Sequence, residues 1–400
     1  MSRFETLNPL DFALPGASLA RLLSPTLVIC LDHVRQNIRR VIEHLGGAAS
    51  RWRPHVKTMK IPAVYAEPMR FGVRAFKCAT TREAACLLEV MREEEIDGGD
   101  LLVAYPHVGP ALDRIRQLAA AYPKTRVSVL CDEARALDEI PPALGIFVDV
   151  NPGMDRTGLP LSRAAEIIDI ARRAGTRFRG VHFYEGHIVD TDAQTRRRKA
   201  FEGYDRLVSL LDDLAAAGVG VEEVITSGTP TFLDALAYPP LAGRDGIIHR
   251  VSPGTVIYHD SRSEQRIAEL DLQPAALVLT RVVSRPADGI ITCDAGSKSI
   301  AAEAGHPCAF VLGHPQLVPL VPSEEHLPLE VRRGPPPARG TELLLIPRHV
   351  CPTVNLAEHA VLVEAGHITE IAPVSARAHE VSLEAPEGAA PTSGATGQAP

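Results

Sequence analysis

A lysine at the end of a short apolar segment is the first residue in this sequence that could do chemistry. Lys57 closes the strand-like run 51–57, and a second cation, Lys60, follows it. A strand end fixes the direction of an amine, and a neighbouring positive charge disfavours its protonated form. Such a lysine forms a Schiff base with a carbonyl substrate or with pyridoxal phosphate (PLP). The alternative is a surface lysine, one of 42 Lys and Arg residues.

Small hydroxyl residues and glycines follow two later apolar runs. Segment 227–231 (SGTPT) comes after one run, and segment 252–255 (SPGT) lies within the last. Glycine permits close backbone approach, and N–H and O–H groups supply the donors that a phosphate group needs. Each segment alone could be an ordinary turn. Two of them on adjacent late strands favour a phosphate site, because parallel barrels often bind phosphate there.

Two further motifs carry groups that bind oxygen or metal. Arg156 follows the run 145–150, where a guanidinium could hold a phenolate or carboxylate, and a structural salt bridge is the alternative. His349 and Cys351 stand two residues apart, a spacing that would place both on one face of a strand. Imidazole and thiolate suit zinc. With only two ligands evident, we predict an open site completed by water or substrate; a buried cysteine beside a hydrogen-bonded histidine is the alternative.

The fold that must position these residues is predicted by the alternation of apolar runs with helical segments. Most runs are continuous, as in strands buried on both faces, so a parallel α/β architecture is favoured. The eight runs from Lys57 to Tyr258 are the number that closes a (β/α)8 barrel of the TIM type. The run 26–31 must then lie elsewhere. The runs are residues 26–31, 51–57, 74–79, 101–105, 126–131, 145–150, 178–184, 224–227 and 251–258.

After about residue 260 the pattern changes to short strand candidates separated by Gly, Pro and Asn turns, with few helical segments. This pattern predicts a second, mainly β domain. Residues 332–340, with three consecutive prolines, are predicted to form a loop. The strand candidates are residues 274–285, 289–294, 308–312, 316–321, 342–347, 360–364 and 368–373.

Bulk composition limits the functional classes. A chain of 400 residues suggests two domains, and a net charge of −7 implies no general affinity for nucleic acid or anionic membranes. No apolar run reaches the roughly 20 residues that span a bilayer, and residues 1–23 lack the apolar core of a signal peptide. The seven cysteines are dispersed and odd in number, which favours free thiols in a reducing cytoplasm.

Taken in order, these motifs resemble the D-threonine aldolase and D-serine dehydratase family of fold-type III PLP enzymes. The resemblance covers about residues 20–377 and is specific, because the lysine motif and the His-x-Cys motif both occur, far apart in the chain. It is strongest toward the bacterial D-threonine aldolase-like branch. The matching segments are residues 53–60, 76–80, 102–109, 153–158, 184–187, 227–231, 252–255, 294–298, 323–326 and 347–356.

The resemblance implies an architecture. An alanine-racemase-like PLP-binding barrel would span residues 32–258, and a β domain carrying the metal site would span residues 259–380, joined by residues 1–31. Proteins of this kind usually work as dimers with each site near the subunit boundary. Residues 381–400, rich in Ala, Pro, Gly, Ser and Thr, are predicted to be a disordered tail.

The resemblance also implies a role for each motif residue. Lys57 forms the Schiff base with PLP, and His55 belongs to the cofactor-binding set. Arg156 lies at the cofactor ring or its phenolate, and Tyr184 is a ring-pocket residue. The residues implied in phosphate binding are Ser227, Gly228, Thr229, Gly254 and Thr255.

His349 and Cys351 would hold a divalent metal, zinc or manganese. Aldolases of this family often have aspartate where Cys351 stands, whereas a thiolate is associated with zinc-dependent D-serine dehydratase. The resemblance therefore implies a PLP- and metal-dependent lyase acting on D-β-hydroxy amino acids, but it leaves two reactions open.

The first expectation is a D-threonine aldolase, which gives glycine and an aldehyde, with His187 or a metal-bound water as the base. The alternative is a D-serine dehydratase, in which Lys57 takes the α-proton and a 2-oxo acid and ammonia are released. A racemase of the same fold would need a second base and no metal. A non-catalytic PLP-carrying protein would have no reason to keep His349 and Cys351 together.

Overall fold

The computed structural model describes residues 3–12 and 14–381. The strands are β1 (Thr26–Cys30), β2 (Ala75–Cys78), β3 (Gly99–Val103), β4 (Thr125–Cys131), β5 (Gly145–Asn151), β6 (Leu159–Pro160), β7 (Phe178–Phe183), β8 (Glu223–Thr226), β9 (Ile248–Val251), β10 (Ala276–Ala287), β11 (Ile290–Cys293), β12 (Ala309–Val311), β13 (Leu317–Pro319), β14 (Leu327–Val331), β15 (Glu342–Pro347), β16 (His359–Glu364) and β17 (His367–Pro373).

Most of the helices connect strands of the first half of the chain, and α12 lies between two strands of the second half. They are α1 (Gly16–Leu19), α2 (Leu31–His44), α3 (Pro62–Arg70), α4 (Thr81–Glu93), α5 (Pro110–Ala121), α6 (Ala136–Glu139), α7 (Ala164–Ala174), α8 (Ala193–Ala216), α9 (Phe232–Leu236), α10 (Pro239–Ala242), α11 (Ser261–Glu264) and α12 (Val350–Leu356). Within the described residues, none of these helices has the length and apolarity that crossing a membrane would require.

Seven parallel strands form the first sheet, in the order β2-β3-β4-β5-β7-β8-β9, with the short β6 paired to β5. The eighth position is held by an irregular segment. Trp52 bridges Val251 of β9, and His55 bridges Lys77 of β2. The barrel class is therefore confirmed, but the expectation of a regular strand over 51–57 is wrong. Pro54 has no N–H to donate to a ladder, and its carbonyl accepts from the Lys77 N–H at 3.0 Å.

Both ends of the predicted barrel differ from the sequence expectation in the same way. Lys57 lies in a single 3-10 turn, Val56–Thr58, and not at a strand end. The last run ends as a strand at Val251, so Ser252 and Gly254 follow the strand instead of lying within it. These segments are loops beside the strand ends, where side chains and backbone N–H groups are free to meet a ligand.

The second sheet is mainly antiparallel and includes the N-terminal strand. β1 pairs antiparallel with β10 and parallel with β16, so the run 26–31 lies outside the barrel as expected. The sequence missed β14, which pairs with β11 and β13. Leu327 and Leu329 alternate toward the interior, but Pro328 between them is rare in central strands. Except for Val381, the predicted tail lies outside the described residues.

A buried ion network ties the irregular segment to the barrel. The Arg53 side chain is fully buried and donates two hydrogen bonds of 2.7 Å to Glu223 and one of 3.0 Å to Asp100. Arg179 donates to Asp100 at 2.8 Å. Asp100 and Glu223 stand near the beginnings of β3 and β8, at the end opposite the loops after the strands. Arg53 lies within four positions of Trp52, His55 and Lys57 in the sequence. The network therefore fixes the position of the segment that carries these three residues.

We expect Arg53→Met to destabilise the fold by roughly 3–5 kcal/mol, since it leaves buried carboxylates short of a partner. The matched control is Arg126→Met, because Arg126 pairs with the same Asp100 from a side chain that is 53% exposed. That change should cost about 1 kcal/mol or less. Urea unfolding of the two variants checks the difference, and equal losses would contradict the assigned role of Arg53.

Candidate active site

A cavity of about 700 Å³ opens at the C-terminal ends of the barrel strands. It brings together most of the residues predicted from the sequence, although they come from loops spread over nearly 300 positions. Residues from the second half of the chain complete its wall. The predicted residues that line it are His55, Lys57, Arg156, Tyr184, Gly228, Thr229, Gly254, Thr255, His349 and Cys351.

Lys57 presents its side chain to this cavity from the short 3-10 turn. The Lys57 N–H donates to His55 Nδ1 at 3.3 Å, so His55 caps the turn. The second cation, Lys60, is held by Glu83 Oε1 at 2.8 Å and by the Ala376 carbonyl at 3.1 Å. Glu83 itself is held at the start of α4, where its N–H donates to Thr80 Oγ1 and its Oε2 accepts from the Ala79 N–H. The charge of Lys60 is therefore compensated, contrary to the role expected for it beside Lys57.

Lys77 is a buried amine of the site that the sequence argument did not single out. Its Nζ lies 3.3 Å from His182 Nε2, and His182 Nδ1 lies 2.7 Å from Asp149 Oδ1. Burial first, and then the positive charge of Lys57, lower the pKa of Lys77 to about 7. Burial likewise lowers the pKa of His182. With Nδ1–H donating to Asp149, Nε2 is left to accept from a neutral Lys77 amine.

Tyr184 forms one wall of the cavity, and two basic side chains lie over its ring. The Arg156 guanidinium carbon lies 5.0 Å from the ring centroid, and Lys77 Nζ lies 5.3 Å from it. The His182 ring is nearly parallel to Tyr184, at a centroid distance of 6.4 Å. The next residue, Glu185, accepts from Thr231 Oγ1 at 2.8 Å and from the Ser227 N–H at 3.2 Å, which joins this loop to the one after β8.

Each predicted phosphate segment approaches another part of the chain so closely that only glycine fits at one position. A Cβ on Gly254 would lie 2.3 Å from the His55 carbonyl oxygen, and one on Gly228 would lie 2.9 Å from the Tyr184 ring. Ser227 has a positive φ of 59° and does not line the cavity. Its buried Oγ has no hydrogen-bond partner among the described residues. The backbone of 228–229 and 254–255 is thus what the cavity offers to an anion.

His349 and Cys351 lie together, but not on a strand. β15 ends at Pro347, His349 is the N-cap residue of α12, and Cys351 lies in the first turn of that helix. The expectation of one strand face is therefore wrong, because the backbone turns into a helix between the two residues. Cys351 Sγ lies 3.1 Å from Thr58 Oγ1. Because Thr58 follows Lys57 in the sequence, this contact brings Cys351 close to the Lys57 turn.

The surroundings of His349 and Cys351 favour the protonated imidazole and the thiolate. Burial raises the pKa of Cys351, but the hydrogen bond with His349 and the positive charge of Lys57 outweigh it and lower the pKa overall. Burial lowers the pKa of His349, but Cys351 and Glu303 raise it overall. Within residues 3–12 and 14–381, no group of three or more His, Cys, Asp or Glu side chains is arranged to hold a metal.

His187, the candidate base, is placed differently. It lines two smaller neighbouring cavities, both of which also contain Lys199, and it is not among the residues of the main cavity. Its sequence neighbour Gly186 does line the main cavity. Arg262 and Arg266 also line it, and they carried no sequence motif that could have indicated a role.

Two family models match the chain. Residues 29–262, more than half of the chain, match the model described as "Alanine racemase, N-terminal domain". The chain belongs to this family. Residues 275–363 match a second model, described as "Putative serine dehydratase domain". The first match spans the barrel and the Lys57 turn, and the second covers much of the antiparallel sheet with His349 and Cys351.

Proteins similar to this chain align with it over nearly their whole length. The D-threonine aldolase of Arthrobacter sp. is 28% identical over 382 residues, 91% of this chain and 95% of the relative. The 3-hydroxy-D-aspartate aldolase of Paracoccus denitrificans (strain Pd 1222) is 27% identical over 391 residues, with the same coverage. The crystal structure of D-threonine aldolase from Filomicrobium marinum has a TM-score of 0.79 at 25% identity, covering 90% of this chain and 96% of that one.

The lowered pKa of Lys77 predicts a pH-dependent stability. Between pH 7 and its ordinary value of 10.5, the unfolded chain binds the proton that folded Lys77 has lost. Lys77 should therefore contribute a rise in the free energy of unfolding of about 1.4 kcal/mol per pH unit in this window, and Lys77→Met should remove that contribution. Urea unfolding at pH 7.5 and 9.5 measures it.

The control is Lys199→Met, because Lys199 is 44% exposed and paired with Asp190. This variant should keep the pH dependence of the parent protein. Parallel curves for the parent and Lys77→Met would contradict the proposed neutral state of Lys77.

Proposed function

We propose that this protein is a PLP- and divalent-metal-dependent lyase that cleaves D-β-hydroxy amino acids to glycine and an aldehyde, as D-threonine aldolase does. The observation that carries the proposal is the position of Lys57 in one cavity with His349 and Cys351. A Schiff-base lysine implies the cofactor, and a metal-binding pair beside it implies that a substrate oxygen is activated there.

The cavity fits PLP by the chemistry of its donors. Lys57 would hold the cofactor covalently, and the segments at Gly228 and Gly254 would receive its phosphate where no side chain could stand. The orphaned Ser227 Oγ is close in sequence to these donors. Tyr184, with Arg156 over its ring, would face the cofactor ring or its phenolate. PLP, when bound, supplies an electron sink for charge that develops at the substrate's α-carbon.

The donor pair also fits a divalent metal. A thiol with a lowered pKa and an imidazole are ligands that zinc prefers, and manganese is the alternative that the resemblance suggests. Two protein ligands leave open positions, which a substrate hydroxyl can occupy. A metal held by His349 and Cys351 would supply a Lewis acid for that hydroxyl.

The chain's own residues then position the substrate and move protons. With PLP and substrate bound, the Lys57 amine would be free to transfer a proton at the substrate's α-carbon. Lys77 is a second amine, whose pKa is lowered to about 7, and its link through His182 to Asp149 gives it a route for proton exchange. His187 lies outside the main cavity, so a base role for it would require movement of its loop.

The second candidate is a dehydratase acting on D-serine or a related substrate. Two observations favour it: the match of residues 275–363 to a serine dehydratase model, and the thiol at Cys351, where aldolases often have aspartate. The aldolase is preferred because both relatives described above are named as aldolases. A racemase or a non-catalytic PLP-binding protein would leave the His349–Cys351 pair unexplained.

We also propose that the protein is a cytoplasmic homodimer. The resemblance supports the dimer, and the seven free thiols in the described residues support a reducing compartment.

Product analysis with D-threonine tests the proposal. We expect glycine and acetaldehyde, no reaction with L-threonine, and no product from Lys57→Ala. Removal of the metal by a chelator, or the change His349→Ala, should lower the rate by about 100-fold or more, because a Lewis acid contributes several kcal/mol of transition-state stabilisation.

The control is Cys86→Ala, since Cys86 is half-buried on α4 and does not line the cavity. A 2-oxo acid with ammonia would identify the dehydratase instead. Full turnover in the presence of the chelator would remove the metal from the account.

A further inference from the structure

Two arginines in the active-site cavity have no ion-pair partner among the described residues. Arg262 and Arg266 both line the cavity. Among the described residues, neither guanidinium donates a hydrogen bond or forms an ion pair, although the Arg266 carbonyl accepts from Arg196. A guanidinium is always charged and offers a planar fork of donors that matches a carboxylate. An unpaired pair of them inside a cavity is therefore a candidate anion site.

The backbone fixes these arginines beside the metal-binding pair. The Arg262 N–H donates to the Arg348 carbonyl at 3.2 Å, and the Val350 N–H donates to Asp260 Oδ2 at 3.0 Å. Asp260 Oδ1 accepts from the Ser263 N–H at 2.8 Å and so caps α11. The start of α11 and the His349–Cys351 turn are thus joined on both sides. A substrate oxygen at the metal-binding pair would carry its β-substituent into this neighbourhood.

The other basic side chains of the cavity already have partners. Lys60 is paired with Glu83, Lys77 contacts His182, and Arg156 lies over the Tyr184 ring. Lys57 is the residue assigned to the cofactor. Asp260 is a nearby negative charge, but its two oxygens accept the backbone N–H groups described above. Arg262 and Arg266 are left as the cations free for a group on the substrate.

Electrostatic repulsion between the two side chains points the same way. Burial first, and then the positive charge of Arg262, lower the pKa of Arg266, and Arg348 adds to the effect. Asp260 and Tyr184 act in the opposite direction but do not reverse it. Two like charges held near each other are relieved when an anion binds between them.

We propose that Arg262 and Arg266 bind a second carboxylate, carried on the β-carbon of the substrate, so that 3-hydroxy-D-aspartate is cleaved in preference to D-threonine. The inference rests on the proposed lyase function. In the reaction, the Cα–Cβ bond breaks and Cα gains a proton, while the β-hydroxyl loses its proton and becomes a carbonyl. The products are glycine and glyoxylate, and the second carboxylate is unchanged.

Kinetics with the two substrates test the subsite. Arg262→Met and Arg266→Met should each lower kcat/KM for 3-hydroxy-D-aspartate by about 10- to 100-fold, the usual contribution of a hydrogen bond between charged groups. The value for D-threonine should change by no more than about threefold, within the range of neutral surface changes. The control Gln265→Met alters an exposed residue between the two arginines and should change neither value.

A binding measurement separates this inference from the proposed function. Malate is 3-hydroxyaspartate without its amine, and 3-hydroxybutanoate is threonine without its amine. Calorimetry on the holoprotein should show that the parent binds malate more tightly than 3-hydroxybutanoate, and that both arginine variants lose the difference. The PLP absorbance of the variants should equal that of the parent.

Each contrary result has a definite meaning. Equal losses for both substrates would assign the arginines to the shared α-carboxylate and overturn the inference, as would a loss of PLP absorbance or no change at all. If the parent cleaves neither substrate but the malate preference depends on the arginines, the proposed reaction fails and the anion subsite stands.

Discussion

The buried ion network of Arg53 with Glu223 and Asp100 is the interaction on which the rest of the site depends. Seven strands of the barrel are held by regular ladders, but the eighth position has only two isolated bridges, at Trp52 and His55. Arg53 compensates for the missing ladder, because its guanidinium reaches Glu223 and Asp100 across the barrel interior. A segment without a ladder is free to leave the strand direction, and this lets the chain turn at once so that Lys57 faces the cavity.

The second half of the chain completes the cavity through a few specific contacts. Thr58, next to Lys57, meets Cys351, and Asp260 accepts from the backbone between His349 and Cys351. These contacts bring Lys57, the His349–Cys351 pair and two arginines that form no ion pair among the described residues into one cavity. Since Lys57 follows the irregular segment of the barrel and the His349–Cys351 turn follows β15 of the second sheet, the geometry of the cavity depends on how the two sheets are joined as much as on either alone.

Sequence reasoning succeeded where a residue's role follows from its local pattern. The barrel class and the position of β1 outside the barrel are of this kind. It failed where a distant partner decides the role. Lys77 looked like part of a buried strand, and only His182 and Asp149 reveal it as a site residue. The helical turn at Cys351 could not be predicted either, because two residues at positions i and i+2 are compatible with a strand as well as with the start of a helix.

The most direct test of the account is the identity of the lysine that forms a Schiff base. Reduction of the purified protein with borohydride, followed by proteolysis and mass spectrometry, should place the pyridoxyl group on Lys57. The experiment distinguishes Lys57 from three other lysines that the cofactor could reach. Lys60 and Lys77 line the same cavity, and Lys199 lies near it. A pyridoxyl group on Lys60 or Lys77, or no incorporation at all, would contradict the central claim.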